Sequence, residues 1–313
     1  MFLTGFADEA GKDIATQVKA IKALGWQHME LRNVCEKNLG TFTEEEFAQI
    51  EGALSEAGIT INCYGSPIAN WSRHPRKEED FAKDLAELEI ALPRMQKLGI
   101  RILRGMSYVP AEEEAPDNPE LEKIIFSKVK QLVRRCADAG VVYGHENCRN
   151  YGGLSYQHTL KLLEQVNDSN LQLIYDTGNP TFTLRHLGSK PYPTQSSWEF
   201  YTQVKPHIAY VHIKDATATL NAEGEPVPKF CFAGDGEGDV RAILIDLFCN
   251  QYDGGFSIEP HVATVFHAKD NPEDSDIQLQ RRLDTFIDYG RRFEKLLQEC
   301  QRVAKQRLAA SEK

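Results

Sequence analysis

No Cys-x-x-Cys pair occurs anywhere in this 313-residue chain. Its seven cysteines (Cys35, Cys63, Cys136, Cys148, Cys231, Cys249 and Cys300) are odd in number and widely scattered, which excludes a zinc knuckle or a dithiol motif and fits reduced structural thiols. Long apolar runs are also missing: nothing approaches the roughly 20 residues of a membrane span. The opening stretch, Met1 to Asp13, has neither the basic segment nor the apolar run of a signal peptide, so no membrane partner and a cytoplasmic location are expected. Positive charge is scarce as well. Against 46 acidic residues stand 36 basic ones, a net charge of -10, which argues against a nucleic-acid partner because a phosphate backbone favours a basic surface. A small polar substrate fits better, and a homo-oligomer stays open.

What the chain does have is a repeated unit. A helical pattern ends in a small or apolar residue and glycine, and an apolar strand follows at once. Gly25 precedes His28–Arg32, Gly58 precedes Ile59–Tyr64, Gly99 precedes Ile100–Arg104, Gly140 precedes Val141–Glu146, and Gly254-Gly255 precedes Phe256–Glu259. Glycine suits the residue after a helix because the left-handed conformation common there is free of a Cβ clash. Helical stripes lie between these strands: Ile14, Val18, Ile21 and Leu24; Phe47, Ile50 and Leu54; Leu85, Leu88, Leu92 and Met95. With Phe2–Phe6, Leu171–Tyr175 and Ile208–His212 the strands number eight. Helices are expected at about 120–138, 156–166, 196–204, 239–250 and 279–304. Regular alternation predicts a parallel sheet, and eight units predict closure into a (β/α)8 TIM barrel. An open doubly wound sheet is disfavoured, since no G-x-G-x-x-G follows the first strand. The composition, 41% hydrophobic and 26% charged, supports a single domain over 1–313, with a core of about 1–304 and a polar tail from Arg302 that frays. Residues 106–119 and 216–238 read as loops on the C-terminal rim, where barrel enzymes carry their active sites.

Polar residues at strand ends carry the functional signal. A barrel strand should stay apolar to its C-terminal end, yet four later strands finish in Glu146-Asn147, Asp176, His212-Ile-Lys-Asp215 and Glu259-Pro-His261. Three carboxylates and an imidazole aimed at one mouth repel each other and are costly to desolvate without a cation. Taken singly, each reads as a helix cap, a surface charge or a satisfied core histidine; taken together, at equivalent places in successive units, they read as one metal site. Mixed oxygen and nitrogen ligation suits one divalent ion, with Mn²⁺ favoured and Mg²⁺, Co²⁺ or Zn²⁺ as alternatives.

At these residues the chain resembles the xylose-isomerase-like TIM barrels, the sugar phosphate isomerase/epimerase superfamily. The resemblance runs from Gly5-Phe-Ala-Asp8 to Glu259-Pro-His261. Its most specific parts are Gly65-Ser-Pro-Ile68, Glu146-Asn147, Tyr175-Asp176-Thr-Gly-Asn179, His212-Ile-Lys-Asp215, Ala233-Gly-Asp-Gly-Glu-Gly-Asp239 and Ser257–His261. It implies that Glu146, Asp176, His212 and Glu259 hold the metal, and that Glu146 and Glu259 exchange protons with a substrate carbon. The implied reaction is isomerisation or epimerisation of a sugar, sugar phosphate or keto-cyclitol, by proton abstraction alpha to a carbonyl. The alternatives are an inosose-dehydratase-like lyase and a non-catalytic carbohydrate-binding barrel. Lys214, Asn179, His261, Glu30 and Trp71 are expected substrate contacts, and Asp215 is expected to orient His212 or Lys214. Asp239 is expected to cap the seventh helix. His145 should point away from the site, because neighbouring strand residues face opposite sides. Asn179 stands where many relatives have histidine, and Lys214-Asp215 where some have an arginine further along; those positions contact substrate in relatives, so the resemblance does not carry ketohexose epimerisation over to this chain.

Overall fold

A computed structural model describes residues 1–111, 114–263 and 275–311. Glu112 and Glu113 of the first rim loop, and Glu312 and Lys313 of the tail, lie outside the described residues. The chain alternates strand and helix: β1 (Phe2–Gly5), α1 (Ile14–Ala23), β2 (His28–Leu31), α2 (Glu44–Ala57), β3 (Thr60–Gly65), α3 (Glu78–Leu98), β4 (Ile102–Gly105), α4 (Pro119–Asp138) and β5 (Val142–Glu146). There follow α5 (Tyr156–Val166), β6 (Leu171–Asp176), α6 (Ser197–Val204), β7 (Ile208–Ile213), a pair β8 (Asp215–Leu220) and β9 (Pro226–Cys231), then α7 (Val240–Cys249), β10 (Gly255–Ile258) and α8 (Asp276–Ser311).

Eight of these strands form one parallel sheet in the order β1-β10-β7-β6-β5-β4-β3-β2. A parallel bridge between Phe6 and Glu30 joins its two edges, so the sheet is a nearly closed (β/α)8 barrel. The glycine signal has the cause expected of it: Gly25, Gly58, Gly99 and Gly140 all take positive φ, from 65° to 72°, just past their helices. Helix starts are equally local. Thr43 and Glu46 form a reciprocal capping box on α2, and Asp13, Ser155 and Ser196 each accept from a first-turn amide.

The two-residue period of the strands sorts the lumen into levels. Ile102, Ile174 and Tyr210 pack with Phe2 and Cys63 as an apolar plug. Two residues further along the same strands come Arg104, Asp176 and His212, so the plug is a floor on which the polar side chains stand. Gly144 leaves room for Ile174 in that floor: a Cβ there would come within 2.6 Å of its Cδ1.

Three expectations need correction. Residues 216–238 are not simply a loop, because Asp215–Leu220 and Pro226–Cys231 pair antiparallel as a hairpin rising from the rim. The tail does not fray at Arg302; α8 stays helical through Ser311, with Ala304 still buried. Asp239 precedes α7 with φ 52° and makes no side-chain cap bond.

Candidate metal centre

Glu146 and Asp176 end β5 and β6, His212 is the next-to-last residue of β7, and Glu259 directly follows β10, four strands that are neighbours in the sheet. Register makes them converge: Asp176 lies opposite His212 across β6 and β7, and His212 opposite Ser257 across β7 and β10. One ligand atom from each of the four lies within 4.8 Å of the other three, and all four residues are buried. Among the described residues this cluster has the composition of a mixed carboxylate–imidazole metal site.

The hydrogen bonds show which atoms are spoken for. Oδ1 of Asp176 accepts from the amides of Gly178 and Asn179, both at 2.8 Å. Oε1 of Glu259 accepts from Nη1 of Arg32 at 2.8 Å. Their other oxygens, Asp176 Oδ2 and Glu259 Oε2, are buried and accept no well-formed hydrogen bond; they face Nζ of Lys214 at 3.1 and 2.6 Å. Two buried carboxylate oxygens aimed at one cationic point, here met by the Lys214 ammonium, are the donors a divalent cation takes, so the residues fit such an ion.

The profile of the xylose isomerase-like TIM barrel family matches residues 18–286. The chain belongs to that family. Solved structures that share the family's fold include a D-tagatose 3-epimerase-like protein, with TM-score 0.67, 16% identity, and coverage of 98% of this chain and 100% of that one. Another is a xylose isomerase-like TIM barrel protein from Mycobacterium smegmatis in complex with magnesium, with TM-score 0.63, 16% identity and coverage of 95% and 97%. A third is a D-allulose 3-epimerase from Methylomonas sp. in complex with D-allulose, with TM-score 0.62, 16% identity and coverage of 92% and 97%. No curated protein matches the chain in sequence.

The opposite half of the mouth sends two buried arginines toward the cluster, with Asp8, Glu9 and Glu30 buried among them. Arg32, just past β2, forks onto Asp8 (2.9 and 3.0 Å), reaches Glu9 at 3.4 Å, and holds Glu259. Arg104 on β4 reaches Oε2 of Glu146 at 3.2 Å and donates to the carbonyl of Ser66 at 2.9 Å. Both guanidiniums lie against the Phe6 ring, at 4.4 and 5.4 Å from its centre. Neither arginine stood out in the sequence, although each closes a repeated strand unit, and that shared position was the available signal. Asp8 and Glu9, in the short turn after β1, were missed too.

Electrostatics follow from burial against these partners. Burial alone would raise the Glu146 and Glu259 carboxyls, but Arg104 beside the first and Lys214 beside the second hold both below the ordinary range. For Asp176 burial wins over the Lys214 charge and its carboxyl rises. Burial disfavours a charged His212, yet Glu30 and Glu146 on its two sides lift the imidazole to about 10 in the metal-free protein.

The other expected residues divide. Lys214 and Asn179 stand at the cluster: Nζ of Lys214 donates to Oδ1 of Asn179 at 3.2 Å, and Nδ2 of Asn179 to Glu146 at 3.3 Å. His261 is buried beside them, with Nδ1 2.9 Å from Glu9 and Nε2 3.6 Å from Glu259. Glu30 lies beneath the cluster, 3.2 Å from His212 and bonded by the Tyr210 hydroxyl at 3.0 Å, which is the place of a group that orients the histidine. Trp71 is 37% exposed in the turn after β3, with part of its ring open to solvent. Asp215 does not serve His212 or Lys214. Its carboxylate accepts from the amides of Ala216, Gly234, Gly236 and Gly238 at 2.8–3.0 Å and so ties down the base of the hairpin. His145 faces away, with Nε2 2.9 Å from Ser107 and 3.0 Å from Asn150.

Proposed function

We propose that this protein is a divalent-metal-dependent isomerase or epimerase of a sugar, sugar phosphate or keto-cyclitol, with Mn²⁺ the favoured ion. The observation that carries the reading is the convergence of Glu146, Asp176, His212 and Glu259 within 4.8 Å on the apolar floor of the barrel. The bound ion would polarise the substrate carbonyl and favour the enediolate over the ketone.

The chain's own residues do the rest. Glu146 and Glu259 are both held ionised by cationic partners, the state a group must have to accept a carbon-bound proton. Their supports differ: Arg104 fastens one, Arg32 and Lys214 the other. In isomerisation the carboxylate that takes the carbon-bound proton would return it to the neighbouring carbon; in epimerisation its counterpart would return a proton only after drawing one from solvent. Lys214 and Asn179 would offer an ammonium and an amide to substrate oxygens, and His261 and Trp71 would add further substrate contacts. Burial of Glu146, Asp176, His212, Lys214 and Glu259 would limit the access of water to the carbanion.

The test is incubation of Mn²⁺-loaded protein in deuterated water with ketoses, ketose phosphates and inososes. Deuterium should appear at a carbon alpha to the carbonyl. Loss of water from an inosose, seen by mass, would move the assignment to the dehydratase-like lyase. No exchange with any of them, with metal bound, sinks both.

A further inference from the structure

Lys214 occupies an unusual place for a lysine: it is 3% exposed, inside the cluster of acids. Its position follows from the strand period, since Lys214, one residue past the end of β7, lies two residues after His212 and faces the same side. Its stem is pinned by Gly178, where a Cβ would come within 2.8 Å of the lysine Cγ. The ammonium therefore has a short leash, and its reach covers Asp176 Oδ2 at 3.1 Å, Glu259 Oε2 at 2.6 Å and Asn179 Oδ1 at 3.2 Å. The first two are the oxygens that backbone amides and Arg32 leave unbonded.

We propose that Lys214 is a tethered counter-ion that shares these two oxygens with the divalent metal and sets the affinity of the site for it. The inference rests on the metal site of the proposed function. Without metal, the ammonium neutralises two buried carboxylates that would otherwise repel each other at a desolvation penalty. When the ion arrives, two cations compete for the same acceptors. The ammonium retreats toward Asn179 Oδ1, its only neutral acceptor of the three, and its freed N–H groups turn to a substrate oxygen. Lys214 thus stabilises the empty site and weakens the loaded one, so that the metal stays exchangeable.

The experiment is calorimetric titration of Mn²⁺ into chelator-treated wild type, K214M and K214R, with thermal melts of each in chelator and in saturating Mn²⁺. K214M should bind Mn²⁺ at least about tenfold more tightly, because a unit charge within hydrogen-bond range no longer repels the ion. It should melt below wild type in chelator and recover most of that loss in Mn²⁺. K214R, which keeps the charge, should bind like wild type. A purely packing role would lower both melts equally. K214M affinity equal to or below wild type overturns the proposal while leaving the metal site standing; absence of Mn²⁺ binding in wild type and K214M alike overturns the metal site and the proposal together.

Discussion

The carboxylate of Glu30 lies 3.2 Å from Nε2 of His212, while Nδ1 of the same ring faces Glu146 at 3.4 Å. The imidazole is thus held between two acids, one beneath the cluster and one within it. A histidine ligand presented through Nδ1 needs its other nitrogen bonded, which fixes tautomer and ring angle. Glu30→Gln keeps the shape and removes the charge, so it should weaken Mn²⁺ binding about 10- to 100-fold without unfolding the barrel. Calorimetry against wild type checks this; unchanged affinity would remove Glu30 from the metal's surroundings.

The cluster makes a more basic prediction. Asp176→Ala and His212→Ala each delete one of four converging groups, and both purified variants should be free of metal by elemental analysis. Full occupancy in both overturns the site.

Much of this architecture was legible because its causes are local. Glycine after each early helix marks a left-handed residue, and a Glu, Asp or His ending a strand marks a side chain aimed at the mouth. Where causes are not local, reading failed. Asp215 has the right spacing to support His212, but its real partners are backbone amides of Gly234, Gly236 and Gly238, and amide positions leave no mark in residue identity. The hairpin was hidden because its strands carry weak signals: Ala216–Leu220 has only Thr217 and Thr219 as strand formers, and Val227–Cys231 contains Pro228 and Lys229. Arg32 reaches Glu259 from a strand two places away around the barrel, a relationship set by closure and not by spacing.

The glycines yield a stability prediction. A Cβ on Gly236 would lie 2.3 Å from Oδ1 of Asp215, and one on Gly238 2.8 Å from it, so the amides approach the carboxylate only because side chains are missing. Asp215→Ala leaves those donors without an acceptor, Gly238 in a buried position, and should cost about 3 kcal/mol. Gly236→Ala should act in the same direction. Urea denaturation of both variants checks it; a Gly236→Ala midpoint at the wild-type value would show that the loop base is looser than this packing requires.

His158 gives a pH dependence whose sign can be worked out. Its ring is buried against Tyr151 at 4.9 Å, Nδ1 meets the Ser155 hydroxyl at 2.7 Å, and burial pushes the imidazole down from 6.5 to about 4. The unfolded chain therefore takes up a proton as pH falls through 6.5, while the folded chain does not until about 4. The stability His158 contributes is complete above pH 6.5, declines between 6.5 and 4, and is gone below; the full loss is at most about 3 kcal/mol. His145, lowered to about 4 by burial, acts in the same sense, whereas Asp176, raised by burial, acts oppositely. Comparing wild type with His158→Gln isolates one group. Between pH 7 and pH 5 the variant should lose less stability in urea than wild type, and equal losses would show that the imidazole is protonated in the folded protein as readily as in the unfolded chain.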